Sequence, residues 1–240
     1  SYYDYLTAYV NAAGADNIEF LSHDYYAFRS THTETGIYSD MEDMRKVAYE
    51  NGKIKTYGFV QSNNWNGMRM PTIDEIRWNV YAYLTYGFKG LSYFNVVNPG
   101  VSADVGEKFS GSIIERDGTI PDQDLYDGFC ALNGELKNIG TILMNLDTVH
   151  AYHTRPNSDN LEELPDNWLV APSKASSDFI VSYMTAKDGS QPHIMLFNKS
   201  WQSTKTETFS LDKYSGITSV EYYNPAIGEY ESVDITDGTI

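Results

Sequence analysis

Three short runs concentrate the side chains that could do chemistry. Asp24-Tyr25-Tyr26 sets one carboxylate beside two phenols, the stretch SNNWNGMRM and the residue before it bring Gln61, Asn64, Trp65 and Arg69, and a third run supplies Tyr93, Asn95 and Asn98. One acid among aromatic rings and amides suits a hydroxyl-rich ligand. Rings cover an apolar C–H surface, a carboxylate accepts hydroxyl protons, and an amide does both jobs of donor and acceptor. Asp24 has three open roles: one member of a catalytic pair, a hydroxyl acceptor in a sugar subsite, or a loop-fixing acceptor. Trp65, flanked by small polar residues in NNWNG, is the candidate stacking platform, and pinning the loop to the next helix is the alternative for both Trp65 and Arg69. His23 precedes Asp24 and by strand alternation points to the opposite face, toward helices rather than chemistry.

These residues need elements that carry them to one place, and the stretch Pro71 to Asn98 reads as a complete helix-then-strand unit. Thr72 with Glu75 three residues on predicts a capping box, and Pro71 stops the helix extending backward. Ile73, Ile76, Val80, Tyr83 and Leu84 follow the spacing of a buried stripe, and Gly87 supplies a left-handed stop. Leu91 to Val97 is short, aromatic and β-branched, the composition of a buried strand. Upstream, residues 2 to 13 predict a helix with Tyr2, Tyr5, Leu6, Tyr9, Val10 and Ala13 on one face. A strand over Asn17 to Phe28, a helix from about Ser39 to Glu50 and a strand over Ile54 to Gln61 follow. Near-equal spacing of three strands separated by helices predicts a parallel sheet, with Tyr25, Tyr26, Gln61, Asn64, Trp65, Arg69, Tyr93, Asn95 and Asn98 along one rim.

Beyond a loop from Val101 to Asp122, a helix is expected from about Gln123 to Met144, with Cys130 as a small core residue. The acids Asp104, Glu107, Asp117, Asp122, Asp124 and Asp127 lack the alternating oxygens of a calcium-binding hand and read as loop, helix start and surface. From Thr148 the texture turns to short strands: Val149 to His153, Phe179 to Thr185, His193 to Asn198, Thr204 to Leu211, Thr218 to Tyr223 and Tyr230 to Ile235. That pattern predicts an antiparallel β-sandwich over 147–240, incomplete at its C-terminal end because Asp237-Gly238-Thr239-Ile240 reads as a turn entering a strand. His150 and His153 fall on opposite faces of their strand, which disfavours a shared metal. No cofactor or metal is expected.

Composition bounds the partners. Seventeen basic against thirty-three acidic residues give a net charge of −16, which makes nucleic acid and anionic membrane poor partners. No apolar run approaches the roughly 20 residues that span a bilayer. Twenty tyrosines, ten phenylalanines and four tryptophans fit either ordinary core packing or a sugar-binding surface.

The runs FLSHDYYAF, YGFVQS, RMPTIDEIRWNVYAYLTYGFKGLSYF, NGELKNIGTILMNL and MLFNKSW together resemble the C-terminal half of a glycoside hydrolase (β/α)8 barrel followed by its β-sandwich, similar to the beta-galactosidase-like barrels related to family 42. The resemblance covers nearly the whole chain and is sharpest from Gln61 to Phe94. It implies an α/β fold with a partial TIM-type barrel over 1–146 and the sandwich after it, with Asn17, Ile54 and Leu91 opening strands six to eight. It also implies a secreted or cell-surface, bacterial-type glycoside hydrolase or a fragment of one, acting on oligo- or polysaccharide. In such barrels the two catalytic glutamates close strands four and seven, whereas the strand placed seventh here ends in Gln61-Ser62, so Asp24 is the candidate catalytic carboxylate. The alternative is a carbohydrate-binding barrel relative that lacks the pair. Three strands cannot close a barrel of eight. Further upstream chain or a second chain would have to complete it, or the fold is a small open α/β sheet.

Overall fold

The computed structural model describes residues 1–100, 106, 108–212 and 216–240. The chain divides into two compact units: residues 1–84 with 88–133, and residues 85–87 with 134–240.

In the first unit, α1 (Tyr2–Ala13) is opened by a capping box between Ser1 and Asp4, and α2 (Ile37–Glu50) follows β1 (Phe20–His23). Then come β2 (Lys55–Gln61), β3 (Asn63–Trp65), α3 (Ile73–Thr85), β4 (Gly90–Phe94), β5 (Phe109–Ser112) and α4 (Gln123–Leu143), the last of which runs on into the second unit. α3 starts as its sequence dictates: Glu75 N–H donates to Thr72 Oγ1 at 3.3 Å and Thr72 N–H to Glu75 Oε2 at 2.9 Å. Its stripe Ile76, Val80, Tyr83 and Leu84 is buried, and Gly87 takes a positive φ of 83° just past its end.

β1, β2 and β4 form a parallel sheet with β2 in the middle. The register pairs His23 with Gly58 and Gln61 with Phe94. Paired residues share a face, so Leu21, His23, Gly58, Val60 and Tyr93 lie together on one side, and Phe20, Ser22, Tyr57, Phe59, Gln61, Ser92 and Phe94 on the other. The first side meets helices: His23 Nδ1 lies 3.0 Å from the Tyr83 hydroxyl of α3, and Tyr93 packs edge-on against Phe129 of α4. The second side carries Phe20 stacked on Tyr57, with centroids 4.6 Å apart.

The expected partial barrel is corrected here. The described strands form no closed barrel; β1, β2 and β4 make an open three-stranded sheet, and β3 pairs separately and antiparallel with β5. Three strands are too few for the tilt and stagger that bring two sheet edges together. Local expectations also shift. β1 is only Phe20–His23, because a 3-10 turn occupies Ala15–Asn17 and the chain leaves the ladder at Asp24. On α1 only Leu6 and Val10 are buried, against α2, while Tyr5 and Tyr9 are 67% and 50% exposed. Cys130 is exposed on α4 rather than in the core.

The second unit contains β6 (Leu146–His153), β7 (Val170–Pro172), β8 (Phe179–Ala186), β9 (His193–Asn198), β10 (Phe209–Leu211), β11 (Val220–Asn224) and β12 (Glu229–Val233). The expected sandwich is corrected as well: the strands are divided among a three-stranded antiparallel sheet β6-β8-β9 and two-stranded pairs β7-β10 and β11-β12. β7 and β10 have three residues each, too short to build a full facing sheet, though Val170, Phe179 and Phe209 still form a small core with Ile194, Leu196, Leu211 and Ile240 around it. The terminal turn leads into a segment beside β10, where Phe209 and Ile240 exchange backbone hydrogen bonds at 2.9 Å. The whole is a mixed α/β protein with small sheets.

Candidate functional site

Asp24, the first residue past β1, is exposed, and its negative charge lies close to the Tyr26 phenol. Burial, and then the neighbouring Asp24 carboxylate, push the Tyr26 hydroxyl well above the ordinary phenol range, so it stays protonated and able to donate. The Tyr26 ring meets Trp65 edge-on at 4.8 Å and tilts against Phe94 at 5.4 Å. Trp65 in turn stands edge-on to Phe94 at 5.2 Å and is stacked on Phe109 at 5.9 Å. Four rings from β3, β4, β5 and the loop after β1 thus form one aromatic wall next to a solvent-facing carboxylate.

The wall differs from the sequence reading in which ring does what. Trp65 is 8% exposed, the buried centre of the cluster and not an open platform; Tyr26 and Phe94, both half-buried, face outward more. Phe94 and Phe109 were missed. Phe94 could have been found from period-two alternation, since it sits on the Gln61 side of β4 while Tyr93 sits on the helix side with Phe129. Tyr93 therefore lies on the opposite face of β4 from Phe94 and its ring partners. Phe109 left no local signal, because its place depends on the β3–β5 pairing of Trp65 with Phe109.

The remaining candidates hold loops. Tyr25 donates to Glu34 at 2.6 Å and stacks on His23, and Glu34 also receives Arg29 at 2.8 Å. Tyr25's hydrogen bond, against burial and aided by Arg29, draws the Glu34 carboxyl below its ordinary range. Gln61 is fully buried: its Oε1 accepts from Phe28 N–H at 3.1 Å, and its Nε2 donates to the carbonyls of Arg69 at 2.8 Å, Phe28 at 3.2 Å and Asn63 at 3.4 Å. Arg69 donates to both oxygens of Glu75 and to Thr33 Oγ1 at 3.1 Å, with its guanidinium 5.4 Å from the Phe28 ring centroid. Asn64 accepts from Ser110 Oγ at 2.9 Å. Asn63 is oriented so that its amide nitrogen donates to the Phe94 carbonyl at 2.9 Å and its oxygen accepts from Asn95 N–H at 2.8 Å, which positions Asn95. Asn98 bonds Glu115 and Gly100 N–H, each at 2.8 Å. Of the nine rim candidates and Asp24, the structure brings Asp24, Tyr26 and Trp65 into one cluster.

No group of three His, Cys, Asp or Glu able to hold a metal ion occurs among the described residues. Asp104 and Glu107 lie outside the described residues. Asp117 accepts from Thr119 N–H, Asp122 from Leu125 N–H at the start of α4, and Asp127 from Gln123. In the second unit His150 pairs with Glu162 at 2.8 Å, while His153 turns to Tyr86 at 2.6 Å. No helix among the described residues is long and apolar enough to cross a membrane.

Cleaving a glycoside by general acid and nucleophile or base takes two carboxyl groups about 5–10 Å apart. The three parallel strand ends offer one carboxylate, Asp24, and two amides, Gln61 and Asn95. Asp24 can accept hydroxyl protons, and the half-buried Tyr26 and Phe94 rings can cover an apolar ring face. No protein-family model matches the chain, and no curated protein is significantly similar to it.

Proposed function

We propose a glycoside hydrolase-like protein directed at oligo- or polysaccharide, in which Asp24, Tyr26 and Phe94 supply the sugar-contacting surface. One observation carries the reading: an exposed carboxylate beside a phenol, set against a wall of four aromatic rings. A pyranose placed on Tyr26 and Phe94 buries C–H surface there, and its hydroxyls reach Asp24. Polysaccharide is met outside cells, so a secreted or cell-surface location belongs to the proposal, as does a surface charge of −16 that deters nucleic acid.

A second reading, carbohydrate binding without cleavage, is favoured by the amides Gln61 and Asn95 at the other two strand ends, since neither can carry a proton to a leaving group or attack an anomeric carbon. A panel of 4-nitrophenyl glycosides, with calorimetric binding of lactose, cellobiose and xylobiose, separates the two. Hydrolysis that is lost in Asp24→Asn supports the first. Binding without hydrolysis, weakened in Asp24→Asn and Tyr26→Phe, supports the second. A protein that neither binds nor cleaves any of these sugars sinks both.

A further inference from the structure

Gln61 sits at the end of the central strand with no solvent exposure, so it touches no ligand, yet its amide makes four hydrogen bonds. Its oxygen takes the Phe28 N–H, and its nitrogen faces three carbonyls, of Phe28, Asn63 and Arg69. Phe28 lies on the loop that bears Asp24 and Tyr26, and Arg69 on the loop that follows Trp65, the last residue of β3. Ladder-like contacts further along, Ser30 N–H to the Gly67 carbonyl at 2.8 Å and the Arg29–Met68 bridge, join the loop tips. Gln61 joins their roots. The pattern of an acceptor beside a donor that faces carbonyls needs a neutral group; a carboxylate of the same shape turns an anionic oxygen toward carbonyl oxygens.

We infer that Gln61 is the positioning residue of the site, setting the Tyr26 ring against Trp65 by holding the roots of both loops through its amide. The inference rests on the carbohydrate reading for its functional consequence, and the structural consequence stands apart from it. Gln61→Glu is the discriminating variant. Its carboxyl, buried and facing carbonyls, ionises only above the usual carboxylate range. When neutral, it regains an O–H donor for the Arg69 carbonyl while still accepting from Phe28, so the defect should be reversible by pH.

Protein labelled with 5-fluorotryptophan provides four resonances, with Trp65 assigned by its loss in Trp65→Phe. In Gln61→Glu at about pH 9, the top of the range that fully buried glutamates reach, the Trp65 resonance should move, and that of Trp78, whose ring meets Phe28 edge-on at 5.9 Å, can move with it, while those of Trp168 and Trp201 stay within the wild-type range. At about pH 5.5 it should return to the wild-type position measured at that pH. Affinity for whichever of lactose, cellobiose or xylobiose the wild type binds should fall about tenfold at the higher pH and recover at the lower. Gln61→Met, of similar volume and without the amide, should show the shift at both pH values. A Trp65 resonance unchanged in Gln61→Glu at the higher pH overturns the inference, as does a shift that pH does not reverse. Collapse of all four resonances in both variants overturns it too, because the residue would then hold the fold rather than the loops. A shift that reverses in a protein binding none of the sugars leaves the positioning role intact and removes the carbohydrate reading.

Discussion

Arg69 donates to Glu75 through both terminal nitrogens, at 2.7 and 2.5 Å, and the same carboxylate accepts the Thr72 N–H at 2.9 Å. One side chain therefore closes the capping box of α3 and anchors the loop that follows Trp65. Burial raises the Glu75 carboxyl, but the Arg69 and Thr72 hydrogen bonds outweigh it and leave the group below its ordinary range. Arg69 is held above its own range by the Glu75 hydrogen bond, against the pull of burial.

Glu75→Ala should cost about 2–3 kcal/mol, combining a lost cap partner with a guanidinium left uncompensated, the latter discounted because Arg69 is a third exposed. Because the folded carboxyl is depressed, its stabilisation is present above the free-glutamate value of about 4.3 and is lost as pH falls below it. Urea unfolding at neutral and acid pH checks both statements: the gap between wild type and Glu75→Gln should narrow in acid, and a constant gap would show that ionisation is not what matters.

Gly58 and Gly90 make a paired prediction. A Cβ on Gly58 would lie 2.6–2.7 Å from the Tyr83 ring, which is fully buried and tied by its hydroxyl to the Phe59 carbonyl at 3.2 Å. On Gly90 it would lie 2.7 Å from the Tyr57 ring, which is only half-buried and can swing aside. Gly58→Ala should destabilise by about 1–3 kcal/mol, the usual cost of overpacking, and Gly90→Ala by less. Equal midpoints for the two variants in chemical denaturation would contradict this.

His153, fully buried between Tyr86 at 2.6 Å and Lys199 at 3.3 Å, is pushed down to about 3 by burial first and then by the lysine's charge. Above the free-histidine value of about 6.5 neither folded nor unfolded state holds the proton, so this residue adds no pH dependence. Between there and the folded value the unfolded chain takes up a proton that the folded one refuses. Stability should therefore decline as pH drops from about 6.5, by at most about 1.4 kcal/mol per pH unit. His153→Phe should lower stability at neutral pH by removing two hydrogen bonds, yet flatten the decline toward pH 5, as melting curves across that range would show. A variant with the wild-type slope would assign the acid sensitivity to other groups.

Parts of this molecule are legible from the chain because their causes are local. The Thr72–Glu75 box, the Gly87 stop and the outward-to-helix direction of His23 each depend on residues within one or two turns, and each appears in the structure. The parallel pairing of β1, β2 and β4 follows from strands alternating with helices. Closure does not, since it depends on how many strands are present and how they tilt. The aromatic composition could announce a wall of rings but not its members.

What the amino-acid sequence determined by itself is the set of helices, the parallel order of three strands and the delivery of Asp24, Gln61 and Asn95 to the ends of those strands. Tertiary structure alone decided that Trp65 is enclosed, that Phe109 joins it and that Gln61 braces two loops from inside. The physical reason is range. Capping and periodicity are settled within a few residues by backbone hydrogen bonds, whereas the exposure of a ring and the partners of a buried amide are set by which distant segments pack against them.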